Sequence, residues 1–558
     1  MTSLSRALVR SARTSRGQLC RCASTSSASA HTPEQHDIVI LGGGIVGLAL
    51  ASALSSKPAL ASTYKITLLD SADLNKTRTW QPKGEGQYEN RCSSITNQSK
   101  ALLEEIGAWK HLDLTRAQGV EDMQIWDGLT DARLQITASD FPELKSNSNF
   151  DFMVDPMSHM LENANLQRAL LRSLEGRDSV ELKGQTKVES ISTSAADGGW
   201  PVLMLENGQS LRARLLVGAD GINSPVRKFA GIDTHGWMYP THGLVGTLEA
   251  EPPLNGDCHT AFQRFLPTGP LAFLPLPDNR GSLAWATRPE LAAAFKKLSP
   301  EAQAAFINAA FRLPFSSIQF LNSQMLRGVS SEEFIDLICW RSSYEVLGPD
   351  QMPPLFSDLH PPEITHVQPG TVASFPYRYA HALQYLGDVN QETQMPSRTA
   401  LVGDAAHVMH PLAGQGLNAG LGDVKSLSNT LEHATQEGAD IGHIDALRSY
   451  PRQRYAANQA LMSAVDKLHK LYAREERPIV WARSTGVEVL NELPAIKRLM
   501  MAAGGSSHDR AGSAPSLASG VAALAEGLSN ASKFAGSVAS NARIVAPFIA
   551  SRISGMFR

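Results

Sequence analysis

The sequence predicts an α/β fold of two sheets followed by a helical C-terminal region. Three observations predict it. Residues 37–41 form an apolar strand that runs into Gly42-Gly43-Gly44-Ile45-Val46-Gly47 and then into a helix. From Trp237 to about Ala286 strand-like runs follow one another, with prolines between them and no helical stretch. Beyond Ser426 the apolar spacing is helical to about Ala503, most plainly over residues 455–472. At 558 residues the chain exceeds one simple core, so two domains plus additions are expected. Its 42% hydrophobic and 19% charged residues are the balance of a folded protein facing water. A net charge of −3 gives no basic footprint for nucleic acid. No run of about twenty apolar residues is present to span a bilayer.

The first 33 residues stand apart. They hold Arg6, Arg10, Arg13, Arg16 and Arg21, many serines and no acid. That is the make-up of a mitochondrial transit peptide, with a disordered basic arm as the other reading. Two of the five cysteines, Cys20 and Cys22, lie inside it. Cys92, Cys258 and Cys339 are far apart, so neither a disulfide framework nor a zinc spacing is expected. A reducing matrix interior fits.

Gly42, Gly44 and Gly47 are the glycines of G-x-G-x-x-G. They serve the tight turn, the approach of a pyrophosphate to the backbone, and close packing of helix on strand. A second apolar strand, residues 65–69, ends in Asp70, placed to accept bonds from the ribose of an adenosine. Strand, glycines, helix, strand and terminal acid together predict dinucleotide binding. A polar Gly-rich loop, 80–90, leads through Arg91 toward a helix at about 99–109. Strands at 179–192 and 200–206 precede Leu215-Leu216-Val217-Gly218-Ala219-Asp220-Gly221, with Ser224, Pro225 and Arg227 before another helix.

The middle sheet is expected at 243–250, 260–266, 271–274 and 282–287, with Pro267, Pro270, Pro275 and Pro277 at strand ends and Phe265, Phe273 and Trp285 in the core. A helical insertion follows at about 289–347, with a Pro-rich connection to Pro362. A strand at 371–376 then returns before the third stretch, Arg398–Leu427. There a short strand turns at Gly403-Asp404, and His410-Pro411-Leu412-Ala413-Gly414-Gln415-Gly416 runs into a helix near Leu417-Asn418. A carboxylate past a strand end suits a polyol hydroxyl, and glycines at a helix start let backbone N–H groups meet negative charge.

These three acid-bearing turns, in this order and with a sheet between the second and third, resemble the flavin-dependent aromatic hydroxylases, in particular their ubiquinone-biosynthesis branch. The resemblance covers about 36–505. It implies a Rossmann-like FAD-binding domain with an antiparallel-sheet substrate domain, divided as 36–236 plus 398–430, 237–397, and a helical region 431–505. It also implies that Asp404 holds the ribityl chain and that Pro411, Gly414, Gly416, Leu417 and Asn418 face the isoalloxazine, with His410, Pro411 and Gln415 near its edge. Asp220 would lie by the cofactor phosphates, and Asn163 near the flavin. Arg91 would reach the pyrophosphate, although a surface arginine reads the same locally. The family usually has Glu where this chain has Asp70.

The implied reaction is hydroxylation of C5 of a polyprenyl hydroxybenzoate ring by O2, through a flavin C4a-hydroperoxide, with no catalytic nucleophile or base required. Electrons would come from a ferredoxin and its reductase or from NADPH. The implied setting is the matrix side of the mitochondrial inner membrane, peripheral, among other ubiquinone-biosynthesis proteins. No metal is expected, since His407 and His410 have no third ligand nearby. An NADPH-dependent hydroxylase of a small aromatic, of salicylate or kynurenine type, and a non-catalytic escort of prenylated cargo remain as rivals. Residues 506–558 are Ser/Ala/Gly-rich with apolar residues at helical spacing and Lys533, Arg543, Arg552 and Arg558. They read as an amphipathic helix on an anionic membrane surface or as a flexible tail.

Overall fold

A computed structural model describes residues 33–84, 86–140, 155–193, 199–253, 258–346, 359–388 and 397–491. The expected transit peptide, the C-terminal tail and the centre of the Pro-rich connection lie outside the described residues.

The first sheet has seven strands, in the order Val180–Lys183, Ile66–Leu69, Glu34–Leu41, Ser210–Gly218, Val202–Leu205, Val188–Ser192, with Thr399–Leu401 also paired to Ser210–Gly218. Glu34–Leu41 pairs in parallel with Ile66–Leu69 and Ser210–Gly218, and the latter in parallel with Thr399–Leu401. A parallel sheet covered on both faces needs continuous apolar strands, and Ile38, Val39 and Ile40 are each 0% exposed. Register then aligns the strand ends. Leu41 lies opposite both Leu69 and Gly218, and Gly218 opposite Leu401. The turns that leave those ends therefore share the carboxyl edge of one sheet, where open α/β sheets bind ligands.

The second sheet has nine strands and is antiparallel apart from the pairing of Thr260–Leu266 with Asp122–Asp127. Its spine is the long strand Thr234–Ala250, flanked by Arg280–Thr287 and Ala373–Ala382. Phe265, Phe273 and Trp285 are buried in it. Helices Pro289–Phe295, Pro300–Arg312, Phe315–Arg327 and Ser331–Val346 cover the expected insertion, and Phe295, Phe306, Phe311 and Phe334 from them share a core with Trp126 and Trp285.

Three local expectations need correction. Asp122–Asp127 and Arg133–Thr137, which the sequence division leaves in the cofactor domain, complete the second sheet, because strand pairing across more than a hundred residues leaves no local trace. Pro270 and Pro275 lie inside the strand Gly269–Leu276, second and second-to-last, where a missing N–H costs the ladder least. Arg91 precedes a strand, Cys92–Thr96, and not a helix; the helix is Asn97–Glu105, with the Thr96 hydroxyl accepting from Ser99 N–H at its start. Cys92–Thr96 forms a three-stranded sheet with Ser158–Glu162 and Gln118–Val120.

The C-terminal helices Gln415–Gln436, Ser449–Tyr472 and Arg477–Asn491 complete the described chain. The last is tied to the second sheet by a buried pair, Arg483 with Asp127 at 2.6 Å. Among the described residues no helix is long and apolar enough to cross a membrane.

Candidate functional site

The first turn is shaped by close approach. Gly42 has φ +113°, and a Cβ there would stand 2.3 Å from the Ala219 carbonyl oxygen. A Cβ on Gly47 would stand 1.9 Å from the Gly42 oxygen, so helix and strand pack as only glycine permits. A Cβ on Gly44 would meet nothing within 4 Å, which leaves its backbone open to a ligand. Asp70 closes the turn: its carboxylate accepts from Gly43 N–H and, at 2.6 Å, from Ala72 N–H. Both oxygens keep lone pairs for a further donor.

The second turn carries Asp220. One carboxylate oxygen accepts from Val226 N–H at 3.1 Å; the other is buried with no partner in the structure. Burial pushes this carboxyl up, against the Val226 N–H bond that favours its ionised form. Arg227 donates to the Ala405 oxygen at 2.7 Å and so ties the second turn to the third.

The third turn, Gly403-Asp404, lies beside the first. A Cβ on Gly403, which has φ +60°, would come 3.2 Å from Val46, and one on Gly420 3.3 Å from the Gly403 Cα. Asp404 is open to solvent. The protein around it nevertheless raises its carboxyl, opposed by the positive field of His407. The helix Gln415–Gln436 starts at Gly414, φ +61°, with no side-chain cap on its first N–H groups, and a Cβ on Gly414 would meet nothing within 4 Å. Asn418 anchors this start to the small sheet, donating to the Ser94 oxygen at 2.8 Å and accepting from Thr96 N–H at 3.1 Å.

The structure thus brings Gly42, Gly44, Gly47, Asp70, Asp220, Gly403 and Asp404 to one sheet edge, with Pro411, Gly414, Gln415, Gly416, Leu417 and Asn418 adjoining in sequence. Arg91 and Asn163 meet across the small sheet, where Asn163 N–H donates to the Arg91 oxygen and its side chain accepts from Ser93. His410 is turned toward the second sheet. Its imidazole is 2% exposed and packs on His469, ring centres 4.4 Å apart, and against Tyr239 and Tyr377. Its Nδ1 accepts from Leu412 N–H, so the ring caps the 411–413 turn and faces the second sheet. Burial pushes it down to about 3, which makes it neutral.

His407 also turns away from any shared ligand with His410: its Nε2 is 2.6 Å from Asp423. The buried Asp423 and Asn458 form, with the half-buried Arg454, a group that motif reading passes over. The signal was present, since Asp423 shares a helix face with the buried Ala419 and Leu427. One other group, Glu34, His36 and Glu181, has ligand atoms within 4.8 Å of one another. Its carboxylates are already answered by Lys65 and Lys183, at 3.1 Å and 3.3 Å from Glu181.

Comparisons with known proteins agree with this geometry. A family model described as FAD dependent oxidoreductase matches residues 37–313, and one described as FAD binding domain matches 368–465. The chain is 38% identical over 475 residues to "Ubiquinone biosynthesis monooxygenase COQ6, mitochondrial" of Schizosaccharomyces pombe, covering 84% of this chain and 91% of that one. It is 32% identical to the Homo sapiens protein of the same name, covering 85% and 93%. Among solved structures, a p-nitrophenol 4-monooxygenase from Pseudomonas putida superposes with TM-score 0.55 at 17% identity, over 86% of this chain and 99% of that one. A probable FAD-dependent monooxygenase from Pseudomonas aeruginosa gives 0.53 at 20%, over 81% and 99%. These two bear on the fold alone. FAD is the cofactor, and the open glycine faces and the partnerless Asp220 oxygen suit its phosphates and polyol chain.

Proposed function

The chain belongs to the FAD-dependent ubiquinone biosynthesis monooxygenases, and from that premise we propose that it hydroxylates C5 of a polyprenyl hydroxybenzoate ring. The observation that carries the reading is the meeting of three widely separated turns at one sheet edge beside an uncapped helix start. Bound FAD, once reduced, supplies the oxygen-activating chemistry. The chain's own task is to grip, orient and exclude water. Gly42–Gly47 offers backbone N–H groups to the pyrophosphate, and Asp70 accepts from the ribose. Asp404, which when ionised can only accept, takes hydroxyl bonds from the ribityl chain. The free N–H groups at Gln415–Asn418 face the ring where negative charge collects, and a dipole fixed in advance there needs no reorganisation. The tyrosines of Thr234–Ala250 and Ala373–Ala382, packed under Ser449–Tyr472, wall the site against water.

Electrons reach the flavin from a ferredoxin and its reductase or from NADPH. The protein works at the matrix face of the inner membrane, peripherally and with other ubiquinone-biosynthesis proteins, after loss of residues 1–33. Expression in cells that lack their own C5-hydroxylase tests the assignment. Restored respiration and ubiquinone are expected, whereas accumulation of the C5-unhydroxylated intermediate despite good expression would contradict it.

A further inference from the structure

One row of side chains on the second sheet is left open although the rows beside it are covered. Val245, Ala284, Ala272 and Gln263 lie opposite one another across the neighbouring strands Thr234–Ala250, Arg280–Thr287, Gly269–Leu276 and Thr260–Leu266. Each of these strands is paired on both sides at these positions. Even so, Val245, Ala284 and Gln263 are only half-buried. Side chains alternate between faces along a strand, so the flanking Leu244, Leu271, Phe273, Leu283 and Trp285 point the other way, into the core shared with the insertion helices. Gln263 is the one polar side chain in the row, and its amide bonds to no described residue. Resting on the reading of the substrate as a prenylated hydroxybenzoate, we infer that this row is the floor on which the aromatic ring lies and that Gln263 is a specificity-determining residue, its amide taking the phenolic hydroxyl.

The covers on either side come from around the cofactor edge. Two residues before Val245, Gly243 lies under Tyr377: a Cβ there would stand 2.3 Å from the ring, and Tyr377 packs on His410. Ala286, paired with Gly243, shares a core with Met409 and Ala419 of the third stretch. Phe265, two residues after Gln263, is stacked on Tyr472 with ring centres 3.9 Å apart. On the opposite side Thr247 donates to the Tyr88 oxygen at 3.3 Å, and Ala261 packs with Tyr88 and Met160. Between these covered lines the row is a slot one side chain wide and roughly 14 Å long over its four strands. It runs beside the loop that begins at His410. Alanine and valine leave room for a flat ring and offer it dispersion contacts alone. A neutral amide both donates and accepts, which suits a hydroxyl. It cannot answer the charge of a carboxylate, and the row holds no cation that could. The neighbouring Arg264 points to the other face, where it bonds the carbonyls of Ala310 and Leu313.

The test is calorimetric titration of the oxidised, FAD-loaded full-length chain, with no electron donor present. The probes are 4-hydroxybenzoate carrying a single prenyl unit beside the hydroxyl, and the same molecule without the hydroxyl. The parent should bind the hydroxylated probe about tenfold more tightly, because the other leaves the amide unanswered. Gln263→Leu, of similar volume, should bind the two within about twofold of each other. Gln263→Met takes its place should Gln263→Leu fail to fold. Ala284→Phe fills the slot and should lose both probes while keeping its flavin. Equal binding of the two probes by the parent, or a preference that persists undiminished in Gln263→Leu, would overturn the role of Gln263. Parent-like binding of both probes by Ala284→Phe would overturn the slot. A parent that binds neither probe would remove the prenylated-hydroxybenzoate reading itself, and the inference with it.

Discussion

Asp127 and Asp423 are both buried carboxylates answered by an arginine, but their networks end in different places. Arg483 bonds both Asp127 oxygens, at 2.6 Å and 3.1 Å, and spends its remaining donors on the carbonyls of Leu471, Tyr472 and Arg474. Those carbonyls close the end of Ser449–Tyr472, so the pair fastens one helix end to the second sheet and stops there. Asp423 instead meets His407 at 2.6 Å and accepts from Gly403 N–H at 3.1 Å, and so holds the turn that carries Asp404, which water reaches. Matching chemistry thus serves as a rivet in one domain and as a support for a ligand-facing group in the other. The consequence of a buried ion pair is decided by where its hydrogen-bond chain terminates.

The contrast predicts effects of different kind and size. Asp127→Ala leaves Arg483 buried without its counter-charge and should cost about 3–5 kcal/mol of stability by denaturant unfolding, with flavin affinity of the folded fraction unchanged. A tenfold weaker flavin in that variant would break the distinction. Asp404→Asn should do the reverse. Loss of charged hydrogen bonds to the ribityl chain should weaken FAD by about 1.5–3 kcal/mol in a flavin titration, while the flavin-free protein stays as stable as the parent or gains slightly. Stability against pH gives the smallest effect. The Asp423 carboxyl is depressed in the fold, so its contribution is complete above the usual carboxylate range and is lost as pH falls toward the depressed value. Asp423→Asn should therefore flatten the acid limb of the unfolding curve, by a slope of at most about 1.4 kcal/mol per pH unit for one proton. An unchanged slope would mean that Asp423 binds a proton equally well folded and unfolded.

What the sequence disclosed and what it withheld divide along the same line. Gly42, Gly44 and Gly47 were legible because a close approach demands glycine, and Asp70, Asp220 and Asp404 because each follows an apolar strand directly. Their convergence needed only parallel register. Asp122–Asp127 and Arg133–Thr137 were not legible as members of the second sheet, since pairing with Thr260–Leu266 is set far along the chain. His410 sits in the right loop, but its orientation depends on Tyr239, Tyr377 and His469 from three remote strands and helices. Asp423 and Arg454, 31 residues apart on two helices, form no motif that spacing could reveal.

The account rests most directly on one coenzyme lying across the three turns. A crystal structure of the flavin-loaded protein decides that point. The expected density places the pyrophosphate against Gly42–Gly47 near Asp220, the adenosine ribose at Asp70 and the ribityl hydroxyls within hydrogen-bond distance of Asp404. Flavin seated away from that edge, or an Asp404 carboxylate that touches only protein and water with flavin bound, would contradict it.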